Sequence, residues 1–128
     1  MWRLLGAPRP APVAVNWTIA SQDRSTAAHE AATARAEGYG TVKVKVAIGD
    51  DAGRLAAVRA FAGPDMAIRI DANGTWLPDE AEATLRVLEP VGIELCEEPV
   101  SGLAAIQSMR GLTAIPLALD ESADDPEA

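Results

Sequence analysis

Val42-Lys43-Val44-Lys45-Val46 is the stretch on which the fold turns. Read as a strand, it puts the three valines on one face and both lysines on the other. A strand covered on both sides in a parallel sheet would be apolar throughout. Here one face is apolar and the other carries two charges. Two placements satisfy that pattern. One is an edge strand whose wet lysine face blocks aggregation. The other is an interior strand whose valines meet helices and whose lysines point into a barrel.

Outward from this stretch, short β-branched runs alternate with Ala-rich segments of helical period. We expect strands over 12–18, 42–46, 67–71, 93–97 and 117–120, and helices over 26–37, 51–61, 78–88 and 103–110. Gly38 closes the first helix and Gly63-Pro64 stops the second. Pro78 suits the first turn of the third, with Asp79, Glu80 and Glu82 at its positive dipole end. Strands separated by single helices pair in parallel through right-handed crossovers. The class is therefore α/β, either an open doubly wound sheet or part of a (β/α)₈ barrel.

The strand ends carry the chemistry. Lys45, Asp71, Glu97 and Asp120 each fall at the C-terminal end of an expected strand, one per βα unit. Active sites of parallel α/β folds lie along that edge. Three converging carboxylates would repel one another and raise each other's pKa. A hard divalent cation resolves the repulsion, and an all-oxygen donor set favours Mg²⁺ over zinc. A single Asp or Glu at such a position is commonly a helix cap or a solvated charge. Four charged residues in step with the repeat are not accounted for that way. A lysine beside such a cation and a second lysine has a depressed pKa, which suits proton abstraction from carbon.

Composition narrows the partners. The 128 residues are 48% hydrophobic, enough for a core. Eleven basic against nineteen acidic residues give a net charge of −8, which argues against nucleic acid and anionic membrane surfaces. A small anionic substrate remains compatible, because a bound cation and lysines reverse the field inside a cleft. The lone Cys96 forms no internal disulfide, which fits a reducing cytoplasm. No apolar run is long enough to span a bilayer, and Pro8, Pro10 and Pro12 break the short start too early for a signal peptide.

Taken in order, Lys43-Val44-Lys45, Asp71-Ala72-Asn73-Gly74-Thr75-Trp76, Glu97-Glu98-Pro99 and Asp120-Glu121-Ser122 resemble the signatures of the enolase superfamily, and within it the muconate-lactonizing-enzyme-like subgroup. The likeness begins at Leu4-Leu5-Gly6, which is similar to the segment leading into the barrel, and runs to the last residues. It implies a TIM-type barrel, with Lys45 as catalytic base and Lys43 assisting it electrostatically. It implies Mg²⁺ held by Asp71, Glu97 and Asp120. Asn73 matches a polar residue near the metal; Glu98 and Glu121 flank the ligands Glu97 and Asp120, where they either support those ligands or stand as solvated charges. The implied chemistry is abstraction of a proton α to a carboxylate through an enediolate. By the same resemblance the activity is that of an o-succinylbenzoate synthase-like lyase. Dipeptide epimerase and muconate cycloisomerase are close alternatives, and nothing in the chain separates the three.

The family pattern also includes a capping domain, strands six to eight and a lysine on strand six, none of which we find in the 128 residues. The expectation is the N-terminal half of a barrel domain, with 1–11 as lead-in and 12–128 as βα repeats. Open edges should favour self-association, and the isolated chain should be inactive. The rival of another class is a Mg²⁺-binding receiver-like signalling module, whose strand order would reverse within the sheet.

Other residues have plainer expectations. His29 lies on the surface of the first helix, Cys96 packs opposite Glu97, and Tyr39 packs beneath the second strand. Trp76 packs in its loop. Arg69 shares a face with Asp71 and pairs with a carboxylate inside the barrel. Trp17 faces either the cleft or the helices.

Overall fold

Among the residues described by the computed structural model, 2–6 and 8–124, five strands alternate with four α-helices. The strands are β1 (Trp17–Ile19), β2 (Thr41–Lys45), β3 (Ala67–Asp71), β4 (Ile93–Glu97) and β5 (Leu117–Ala118). The helices are α1 (Arg24–Ala36), α2 (Asp51–Ala62), α3 (Pro78–Leu88) and α4 (Leu103–Ser108). Every neighbouring pair is parallel and the sheet order is β1-β2-β3-β4-β5. An order with no reversal is that of a barrel wall, and it removes the receiver-like arrangement.

The two faces of the sheet differ as the lysine-valine alternation requires. Val42, Val44, Val46, Ile19, Ile68, Ile70 and Cys96 are buried on one face. They pack in one cluster with Ala27, Ala31 and Ala34 of α1, Leu55 and Val58 of α2, and Leu85 and Leu88 of α3. Each fully buried Val, Leu or Ile contributes about 1.5–3 kcal/mol of transfer free energy, so this layer drives folding. The alanine face of α1 lets it sit close to α2. The opposite face of the sheet holds Thr18, Lys43, Lys45, Arg69, Asp71 and Glu97, and among the described residues the core side chains of α1, α2 and α3 pack on the valine face instead.

Capping fixes where the helices begin. Asp23 accepts from Thr26 N–H and both the Ser25 and Thr26 hydroxyls, which starts α1 two residues before the expected 26 and draws its pKa down to about 2. Leu77 N–H donates to Glu80 at the start of α3 (3.1 Å).

Several further boundaries differ from expectation. The first strand covers Trp17–Ile19 rather than 12–18, because Pro10 and Pro12 lack N–H donors and 10–16 pairs with nothing. β5 stops at Ala118 rather than 120, and α4 stops at Ser108 rather than 110. The end of the tail, 125–128, lies outside the described residues, and 121–124 form a 3₁₀ turn. Among the described residues no helix is long and apolar enough to cross a membrane.

Candidate functional site

Register assembles the site. Lys45 pairs with Asp71, and Asp71 with Glu97, so three charged residues form one row across β2, β3 and β4. Lys43 lies one pleat period back on the same face, between Thr18 and Arg69. All of these project from the C-terminal half of the sheet.

Asp71 is the centre of the row. Its side chain is 0% exposed, and Oδ2 takes both ammonium groups, Lys45 Nζ at 2.6 Å and Lys43 Nζ at 2.9 Å. Oδ1 accepts Asn73 N–H at 2.9 Å. Burial alone would raise the Asp71 pKa, but the Lys45 and Lys43 hydrogen bonds outweigh it and hold the carboxyl below its ordinary value. Lys43 Nζ also reaches Glu97 Oε1 at 2.7 Å. Burial disfavours its charge, yet Glu97 and Asp71 outweigh burial and the Lys43 pKa is raised. A depressed lysine pKa, expected beside a divalent cation, is therefore not what the carboxylates alone produce at Lys43. Lys45 Nζ donates to Asn73 Oδ1 at 2.7 Å, and Asn73 Nδ2 donates onward to Glu121 Oε1 at 2.8 Å. That bond holds the Glu121 pKa down.

The loops behind this row carry backbone strain. The non-glycine residues with positive φ among the described residues are Ala47 (62°), Asn73 (47°) and Glu98 (43°). Each follows the end of β2, β3 or β4 by one or two residues. Such conformations cost of order 1–3 kcal/mol each and cluster where function constrains the chain. Gly74 answers a separate demand. Its φ is 68°, and an added Cβ would lie 3.2 Å from Ser101 Cα, so the β3 and β4 loops meet only without a side chain there. Gly74 N–H donates to Glu98 O at 2.7 Å across the same junction.

The remaining expected residues divide. Asp120 lies two residues beyond β5, exposed, and its N–H rather than its carboxylate makes the contact, to Glu98 Oε2 at 2.7 Å. Among the described residues no group of three or more His, Cys, Asp and Glu side chains is close enough to hold a metal ion. Of the three expected ligands, Asp71 and Glu97 meet on the Lys43 ammonium, and Asp120 projects from the loop after β5. Glu98, 1% exposed, is not a solvated charge but the acceptor for Ser122 N–H (3.2 Å), the Ser122 hydroxyl and Asp120 N–H.

Trp17 shares the face of Ile19 and meets Tyr39 edge-on, ring centroids 5.3 Å apart, so it faces the helices; Thr18 takes the inner side. Arg69 pairs with Glu94 at 2.6 Å. Glu94 is the extra residue at the irregularity between Ile68 and Arg69 pairing. Cys96 is buried opposite Glu97, His29 is exposed, and Trp76 packs against the core.

One residue escaped the sequence reading. Arg54 is 0% exposed and donates to Ser21 O, Lys45 O and Asp51 Oδ1, each at 2.9 Å. Asp51 Oδ2 in turn accepts Ala47 N–H at 2.7 Å. This pair ties the β1 and β2 loops together under Lys45. The signal was present: Arg54 shares the apolar face of α2 with Leu55, Val58 and Ala62, an unusual place for a charge.

The donor chemistry fits a hard cation in part. Asp71 Oδ2 and Glu97 Oε1 already bracket one positive charge, the Lys43 ammonium, within 3 Å. Both are hard oxygen donors, and Asp120 projects from the neighbouring loop.

Comparison with known proteins adds the following. The family profile described as Enolase C-terminal domain-like matches residues 26–128. The chain is 32% identical to a D-Ala-D/L-Ala epimerase of Cytophaga hutchinsonii, over 95% of this chain and 34% of that protein. It is 36% identical to an o-succinylbenzoate synthase of Thermobifida fusca, over 95% of this chain and 41% of that protein. The crystal structure of the Cytophaga hutchinsonii dipeptide epimerase complexed with Mg and D-Ala-L-Val superposes with a TM-score of 0.84 at 32% identity. It is matched over 94% of this chain and 34% of that one. The chain spans between 34% and 41% of the length of these relatives.

Proposed function

The chain belongs to the enolase superfamily, in its muconate-lactonizing-enzyme-like subgroup, and on that premise we propose that its lysine-carboxylate row serves Mg²⁺-dependent removal of a proton α to a carboxylate. The observation that carries this reading is the row itself. Two lysines on the face opposite the valines are hydrogen-bonded to the strand-end carboxylates Asp71 and Glu97.

In this reading Lys45 is the base. Its Nζ is held by Asp71 and Asn73 at the mouth of the row, where a substrate α-carbon would lie. Lys43, deeper and bound to both carboxylates, supplies a fixed positive charge beside it. Asp71, Glu97 and Asp120 would hold the Mg²⁺, which when bound supplies positive charge against that developing on the substrate carboxylate. Asn73 and Glu121 orient Lys45. The substrate is a small carboxylate.

The finer activity we propose is that of an o-succinylbenzoate synthase-like lyase, supported by the likeness to the Thermobifida fusca protein. Dipeptide epimerisation is the second reading, supported by the comparable likeness to the Cytophaga hutchinsonii epimerase. We read residues 1–128 as the N-terminal part of a barrel domain. Within the described sheet β1 and β5 each have one strand neighbour, which favours self-association through those edges.

The test is α-proton exchange into D₂O, and turnover, with Mg²⁺ and either an o-succinylbenzoate precursor or a dipeptide panel. The chain is assayed alone and co-expressed with the remaining strands of a relative's barrel. We expect no turnover by the chain alone and turnover in the paired form, lost in Lys45→Ala. Activity that survives Lys45→Ala removes the base assignment. Silence from every form with every substrate overturns the function.

A further inference from the structure

Asp120-Glu121-Ser122 is exposed at its first two residues, yet all three are tied down. Asp120 N–H and Ser122 N–H donate to the two oxygens of Glu98, at 2.7 and 3.2 Å, and the Ser122 hydroxyl donates to Glu98 as well. Ser122 Oγ then accepts Gly102 N–H at 2.9 Å, which joins this loop to the residue before α4. Glu121 holds Asn73, and through it Lys45. Glu98 is buried, and its φ of 43° turns it out of the pleat that carries Glu97. A buried carboxylate costs much free energy unless its oxygens are fully hydrogen-bonded. Here three donors from one loop meet that requirement, and no lysine or arginine is paired with it among the described residues.

We infer that Glu98 is a positioning residue: through Asp120 N–H, Ser122 N–H and the Ser122 hydroxyl it fixes the loop after β5 from which the Asp120 carboxylate projects. This rests on the proposed role of Asp120 as a metal ligand. Adjacent residues thereby divide two tasks. Glu97 faces the row and contacts Lys43, while Glu98 faces the loops and sets the place of the third carboxylate. Glu98→Gln keeps the shape but replaces one acceptor oxygen with an amide donor that opposes a backbone N–H.

The experiment uses the full chain and Mn²⁺ as the probe. Its affinity is read by calorimetry, its inner-sphere environment by EPR, and the loop by the amide resonances of Asp120, Ser122 and Gly102 in the diamagnetic protein. Glu98→Gln should weaken Mn²⁺ by about 10–100-fold, alter its EPR spectrum and shift those three amides. Ser122→Ala, which removes a single hydroxyl, should cause a smaller loss in the same direction and serves if Glu98→Gln does not fold. Wild-type affinity and unmoved amides in the folded variants overturn the inference. If the wild-type chain binds no Mn²⁺, the metal reading falls and with it the purpose of the latch. Amide shifts confined to the loop would then still separate that failure from one in which Glu98 holds nothing.

Discussion

Replacing Arg54 with Met keeps most of the side-chain volume and removes the guanidinium. The structure sets the cost. Arg54 is fully buried, and its three hydrogen bonds end on Ser21 O, Lys45 O and the Asp51 carboxylate, itself only 11% exposed. None of these acceptors gains a replacement from a thioether. Breaking a buried charge pair by deleting one partner costs about 3–5 kcal/mol. Two carbonyls left without a donor keep the figure at that level rather than below it. For a domain stabilised by roughly 5–15 kcal/mol this is a large share, and it corresponds to a melting point lower by about 10–20 °C. Arg54→Lys retains the charge but loses the fork that spans three acceptors, so its loss should be intermediate. Urea unfolding followed by circular dichroism measures both. A loss under about 1 kcal/mol in Arg54→Met, the worth of one ordinary hydrogen bond, would refute the account of Arg54 as the tie between the β1 and β2 loops.

Three further outcomes are expected. The folded-state pKa of Asp71 lies below its ordinary 3.8, so its contribution is complete above 3.8 and is lost as pH falls through the lower folded value. The folded-state pKa of Lys43 lies above its ordinary 10.5, so its contribution is complete below 10.5 and is lost as pH rises through the higher value. Stability measured against pH should therefore fall on both sides, with Glu121 and Asp23 sharing the acid limb and Cys96 joining the basic limb above its ordinary 9.0; Asp71→Asn should reduce the acid limb, and an unchanged limb would refute the pairing. Burial, with the charges of Asp71 and Glu97, pushes the Cys96 thiol up to about 12. Its alkylation at neutral pH should track global unfolding, and rapid native-state labelling would contradict the buried placement. Gly74→Ala should destabilise by about 1–3 kcal/mol, since a Cβ there is strained at φ 68° and crowds Ser101; a neutral result in thermal unfolding would show that the β3 and β4 loops yield.

The alternation of Val42 to Val46 was sufficient to tell which face of the sheet would be apolar, because side-chain direction in a strand has a strict period of two. The same rule set Lys43 with Lys45, Arg69 with Asp71 and Cys96 opposite Glu97, and β3, α3 and β4 carry the expected boundaries. These are local properties, set by residue spacing, Pro and Gly signals and helix charge. Trp17 was undecided because its strand is only three residues long and preceded by unpaired chain, so its register came from β2.

What the tertiary structure decided depends on partners far apart in sequence. That Glu98 is a buried acceptor rather than a solvated charge follows from Asp120 and Ser122 arriving over it. That Arg54 is a keystone follows from Ser21 and Lys45 presenting their carbonyls to it. That Asp120 lies off the row of Asp71 and Glu97 follows from register, since Glu97 pairs with Ala118, one pleat period before Asp120. Hydrophobic pattern is written one residue at a time and can be read that way. Satisfaction of buried polar groups is a property of pairs and triples brought together by the fold, and only their geometry reveals it.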